Sequence, residues 1–174
     1  MKSVVVYESL WGHTEAIARA LAEGLGSGAT AMSTTEATPG AIAGADLIVA
    51  GAPVHMMHLP TPSTREKARE RGERPGATAP DLSQVSMIDW LANLPTSRGA
   101  CAGFDTRIES QRGGASGSRI VRGLKRRGYR ALVKPARFVV DRVEDNPGSN
   151  VRLREGELDR ARDWGAALAR AVVT

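Results

Sequence analysis

The chain has 174 residues, 41% hydrophobic and 25% charged, a balance that fits one folded domain and excludes an intrinsically disordered segment. Its formal charge of +5 favours acidic partners, yet the arginines are scattered and no nucleic-acid motif accompanies them, so nucleic acid is not the expected ligand. Cys101 is the single cysteine, which excludes an internal disulfide and leaves no basis for a thiolate metal centre.

Met1 leads directly into Val4-Val5-Val6, with no signal-peptide core or cleavage site, and no apolar run approaches the roughly 20 residues of a membrane span. A cytoplasmic location is expected. Lys2–Tyr7 is a short β-branched run, the pattern of a strand buried on both faces of a parallel sheet. A polar loop follows at Glu8–Thr14, and then Ile17, Ala18, Leu21, Ala22 and Leu25 fall at helical spacing before Gly26 and Gly28. Ala29–Ser33 predicts a weaker second strand and Pro39–Ala43 a short helix start, and Asp46–Gly51 predicts a second strongly buried strand.

His58–Gln84 is rich in Pro, Gly, Thr and charge and predicts a long excursion off the sheet, with one helix around Thr64–Arg71. Ala100–Asp105 predicts another strand, and Arg119–Arg127 a helix with Ile120, Val121 and Leu124 inward. Ala131–Val140 supplies the last strand, interrupted near Pro135, and Arg142–Arg154 is a polar loop with a turn at Asn146-Pro147-Gly148. Glu155–Val172 closes the chain as a helix with Leu158, Ala161, Gly165, Leu168 and Val172 inward. Five strands alternating with helices imply a doubly wound parallel sheet in a single domain, 1–174, with the excursion at 58–84.

Ligands of such sheets bind beyond the carboxyl ends of the strands. Three loops leave those ends: Glu8–Thr14, Ala52–Leu59 and Asp105–Ser116. The first offers hydroxyls at Ser9 and Thr14, a flexible Gly12 and a following helix N-terminus, which together suit a phosphate monoester. An ordinary helix cap at Thr14 explains the same residues without a ligand.

Ser9-Leu10-Trp11-Gly12-His13-Thr14 after a buried first strand resembles the phosphate-binding signature of the flavodoxin family, Thr/Ser-x-Thr-Gly-Asn-Thr. Ser9, Gly12 and Thr14 match directly. Trp11 replaces the central Thr and removes a hydroxyl donor, while His13 replaces Asn and would bring partial positive charge to a phosphate. The resemblance implies a flavodoxin-like three-layer α/β sandwich, its five-stranded parallel sheet in the order 2-1-3-4-5 with helices on both faces. It also implies FMN as a non-covalent cofactor, its phosphate held by Ser9, Leu10, Trp11, Gly12, His13 and Thr14. Pro53, Val54, His55 and Met56 would face one side of the flavin ring. Asp105, Thr106 and Arg107, with the turn at Gly113-Gly114, would face the other. No Trp or Tyr stands in either ring loop, so His55, Met56 or the Arg107 guanidinium would pack on the flavin.

Each of these residues also has a role that needs no ligand. His55 and His58 lack a third metal ligand, Met56-Met57 suits gap filling beneath the excursion, and Asp105 suits a turn cap. Cys101 reads as an inert buried thiol, and Arg119, Arg122, Lys125, Arg126 and Arg127 as a solvated helix face. Gly-x-Gly-x-x-Gly and Gly-Lys-Ser/Thr are both absent, and no acid–base catalyst stands out. The expected function is electron transfer through bound FMN to a redox partner protein or a small acceptor. An NAD(P)H-dependent quinone or small-molecule reductase is the alternative, and a binding domain that has lost FMN, its phosphate pocket filled by Trp11, is another.

Overall fold

Ser3–Tyr7 (β1) is buried at every position, as a β-branched run at the centre of a sheet must be. The computed structural model describes residues 1–109, 115–143 and 151–173. Around β1 the sheet runs Ala29–Ser33 (β2), β1, Leu47–Pro53 (β3), Ala100–Ile108 (β4), Ala136–Arg142 (β6) and Val151–Leu153 (β7), with Arg130–Ala131 (β5) also on β4. Pairing from β2 through β6 is parallel, and the 2-1-3-4 order is the doubly wound one.

The outer edge differs from the expected five strands. β5 and β6 both pair with β4, so they are two pieces of the expected fifth strand. Ala131 lies opposite Cys101 and Ala136 opposite Phe104, so five steps along this strand span three on its neighbour. Pro135 sits in that break, where its missing N–H removes a ladder bond. A second difference follows β6. Val151–Leu153, expected within a polar loop, pairs antiparallel with β6 as β7. The turn expected at Asn146-Pro147-Gly148 lies outside the described residues.

Strand side chains alternate between two apolar layers. Val5, Leu47, Val49, Ala102 and Phe104 pack beneath helices His13–Leu25 (α1) and Glu157–Val173 (α6). Val4, Val6, Ile48, Ala50 and Cys101 pack beneath Pro39–Ile42 (α2), Met87–Asn93 (α4) and Ser116–Arg126 (α5). With few aromatic rings available, close approach does some of the work. An ideal Cβ on Gly24 would stand 2.0 Å from the Arg162 carbonyl oxygen, and one on Gly165 2.5 Å from that of Leu21, so α1 and α6 touch through their main chains.

The excursion carries a regular helix, Pro62–Gly72 (α3). Thr61 and Thr64 cap it reciprocally and a proline opens it, the sequence grammar of a helix start. Only Ala68 of this helix is buried, so α3 is not held mainly by apolar contact.

Candidate functional site

Where β1 ends, Glu8 turns its carboxylate inward and is wholly buried. Its Oε2 accepts the Met87 N–H at 2.8 Å, and its Oε1 pairs with the Arg65 guanidinium of α3. Arg65 also donates to the carbonyls of Leu82 and Gln84, at 2.9 and 2.7 Å. Burial pushes the Glu8 carboxyl upward, against the Met87 N–H and Arg65, which pull it down.

The chain from Thr78 to Gln84 then straps the outside of the first loop. Gln84 accepts the Ser9 N–H at 2.9 Å and donates to the Ser9 carbonyl at 3.2 Å, an imitation of a strand pairing. Asp81 N–H donates to the Leu10 carbonyl at 2.8 Å, and the Trp11 indole N–H donates to the Thr78 carbonyl at 3.2 Å. Sequence reasoning missed this strap. A carboxylate closing a buried strand does signal that a cation must reach it, but nothing in the spacing singles out Arg65.

Gly12 caps α1 with φ +85°, the left-handed region, and no side chain caps the helix. The first intrahelical bond runs from Ala16 N–H to the Gly12 carbonyl at 2.9 Å, so His13, Thr14 and Glu15 have no acceptor for their N–H groups within the helix. The expected cap at Thr14 is not formed. Thr14 Oγ1 instead lies 2.8 Å from Thr106 Oγ1, and one hydroxyl hydrogen of that pair is left to donate elsewhere. Ser9 Oγ is buried with no hydrogen-bond partner, a state that costs about 1–3 kcal/mol.

These groups line a cavity of about 550 Å³ at the carboxyl ends of the strands, within the range of small-ligand pockets. Ser9, Leu10, Trp11, His13 and Thr14 form one wall; Pro53, Val54, His55 and Met56 form another; Thr106 and Arg107 lie beneath. Most of the expected site residues therefore meet around one space. Gly12, between Trp11 and His13, is not among the lining residues.

Asp105 does not line the cavity. The strand β4 runs past the expected Asp105 to Ile108, so Thr106 and Arg107 are ladder residues rather than a loop, and alternation turns Asp105 away from Thr106. Asp105 accepts the Gly117 N–H at 2.9 Å at the start of α5 and holds Arg107 in a two-pronged ion pair at 2.6 and 2.5 Å, both side chains buried. Gly113 lies outside the described residues.

Two further expectations change. His13 Nε2 lies 3.0 Å from the Val151 carbonyl, and burial lowers the pKa of the ring, so at neutral pH it is an uncharged donor tying α1 to β7. Met56 and Met57 fill no gap: both are exposed, and both have positive φ. The indole of Trp11 leans on His55 with ring centres 5.8 Å apart, drawn to the strap. Burial, then Arg71 and Arg65, brings the His55 pKa down to about 4.

Thr64, Lys67, Ala68 and Arg71 of α3 also line the cavity, as do Val140 and Arg142 of β6 and Val151 of β7. The α3 residues recur at i, i+3, i+4 and i+7, a single helical face, and this spacing is visible in the sequence. Nothing in the sequence ties β7 to the site.

A family model described as a flavodoxin domain matches residues 4–65, from β1 through both of the first two cavity walls to Arg65. Over that stretch the chain resembles a flavodoxin domain. Its fold superposes on a flavodoxin from the domain Archaea with a TM-score of 0.66 at 19% identity, over 100% of both chains. Oxidised flavodoxin 1 from Bacillus cereus gives 0.63 at 13% identity, covering 99% of this chain and 97% of that one. A flavodoxin, WrbA-like protein from Agrobacterium tumefaciens gives 0.58 at 22% identity, over 99% and 97%. At these identities the structural likeness speaks for the fold. No curated protein matches the chain significantly.

Proposed function

We propose that this chain is a flavodoxin-family protein that binds FMN without a covalent link and carries electrons through it. The observation that carries the reading is the unpartnered, buried Ser9 hydroxyl beside the uncapped N-terminus of α1, on the wall of the cavity. A phosphate monoester supplies what that arrangement lacks. Its oxygens accept from Ser9 Oγ, from the free hydroxyl hydrogen of the Thr14–Thr106 pair and from the first-turn amides, and its charge suits the helix dipole. No cation is needed in the cradle itself, which agrees with a neutral His13.

Bound FMN supplies the redox chemistry, and the chain supplies position and surroundings. Pro53, Val54, His55 and Met56 would frame one side of the ring, and Thr106 and Arg107 the other. His55 would stand there as a neutral imidazole and Arg107 as a guanidinium already paired with Asp105. The glutamine strap holds the loop from behind, so little of it has to be ordered on binding. Trp11 lines the cavity with its indole N–H tied to the strap, which supports the flavin-binding reading over that of a cofactor-less domain with its phosphate pocket filled by indole.

Titration of apoprotein with FMN, followed by quenching of flavin fluorescence, tests this reading. Gly12→Asp adds a carboxylate at a position with nothing within 4 Å of its Cβ, so the change is one of charge and backbone strain rather than collision. Tight quenching is expected for the wild type and little for Gly12→Asp; Ser9→Ala should weaken binding about tenfold, the loss of one hydrogen bond to a charged acceptor. Equal quenching in all three proteins contradicts the assignment.

A further inference from the structure

The tip of the loop after β3 is built against its own turn chemistry. His55 and His58 exchange both main-chain bonds, N–H to carbonyl at 2.8 and 2.9 Å, which makes Met56 and Met57 the two central residues of a tight hairpin turn. Their φ values are +46° and +74°. Two positive φ angles in such a turn call for Asn and Gly, and an unbranched apolar residue gains nothing there locally. Nor does packing account for them, since Met56 is 62% and Met57 42% exposed. Met56 lines the cavity, but the solvent-facing Met57 beside it does not and serves neither the fold nor the turn, which leaves contact with something outside the chain as its use.

The charges around the tip indicate what that is. Lys67, Arg71 and Arg74 line the cavity from the α3 side and Arg142 from β6, and all four are exposed. None has an acidic partner among the described residues. Unpaired cations here are selective, for on the same helix Arg65 is held by Glu8, and Arg69 by Glu66 and Glu73. From this apolar tip within a basic surround we infer a docking face for an acidic partner protein. Methionine supplies an adaptable apolar contact at its centre, and the free cations supply steering and register at its rim. A lipid surface fits less well, because the cations gather around a concave opening and the tip carries neither Trp nor Phe.

The inference goes beyond the flavin reading and stands on this surface alone. Its test measures binding of an acidic plant-type ferredoxin, with basic cytochrome c and phosphatidylserine vesicles as alternatives, to the full chain with and without added FMN. Ferredoxin should bind at low salt and weaken at least about tenfold between 20 and 300 mM NaCl, while the other two should bind less. Met57→Gly separates docking from folding. Glycine suits the φ of +74°, so the variant should melt at a temperature no lower than the wild type and quench FMN equally, yet bind ferredoxin about tenfold more weakly. Arg74→Glu should weaken ferredoxin binding further. Unchanged ferredoxin binding by Met57→Gly, salt-independent binding, or tighter binding of cytochrome c or of the vesicles overturns the proposal. A chain that binds ferredoxin but leaves FMN unquenched keeps the docking face and loses the flavin.

Discussion

Arg65 of α3 reaches the carboxylate of Glu8 at the end of β1, and the pair joins the excursion to the sheet at the entrance of the first loop. With only Ala68 of α3 buried, this ion pair and its satellite bonds to Leu82, Gln84 and Met87 do the anchoring that apolar packing does elsewhere. Glu8 is therefore a support of the site, set behind the strap that backs Ser9.

Arg65→Ala leaves that carboxylate buried and unpaired, and should cost about 3–5 kcal/mol of stability in urea unfolding at pH 7. The sign of its pH dependence follows from Glu8. Burial already raises this carboxyl, and losing Arg65 raises it further. A folded-state pKa above the unfolded one means the native state takes up the proton first, so the deficit should shrink as pH falls from 7 towards 5. A deficit that is constant across that range contradicts the account.

The α1–α6 contact yields a separate prediction. Gly24→Ala places a methyl group against the Arg162 carbonyl, where neither helix has a flexible side chain to move aside. Destabilisation of about 1–3 kcal/mol or more should follow, seen as a lower melting temperature, although alanine is the better helix former. A higher melting temperature would show that the helices do not meet through these residues.

His55 titrates far below a free imidazole, at about 4, because burial and then Arg71 and Arg65 oppose its charge. For a base with a lowered folded pKa, the unfolded chain binds the proton first. Stability from this group is complete above the ordinary value near 6.5 and is lost as pH falls from there to about 4. His55→Gln should flatten this part of the acid limb, and in Arg71→Ala the ring's titration, followed by NMR, should move upward. A His55 midpoint near 6.5 in the wild type contradicts the environment described.

How the sequence and the structure compare depends on the range of the interactions. β1 and β3 were legible because a continuous apolar run between turn residues has few alternatives, and α1 because its spacing is regular. The first loop was legible through Ser9, Gly12 and Thr14. What stayed hidden arises from pairs distant in the chain. Gln84 against Ser9 and Arg65 against Glu8 leave no periodic trace, and the length of β4 is set by its neighbours β3 and β6, which made strand residues of Thr106 and Arg107. β7 is three residues long, and only its pairing with β6 distinguishes it from loop. The α3 face is the exception, since the spacing of Thr64, Lys67, Ala68 and Arg71 stood in the sequence unread.

A crystal structure of the chain grown with FMN tests the central claim most directly. The phosphate should lie within hydrogen-bonding distance of Ser9 Oγ and of the main-chain N–H groups that open α1, with the ring between the Pro53–Met56 wall and Thr106. A phosphate found instead on Lys67 and Arg71, with Ser9 Oγ still unpartnered, would contradict it.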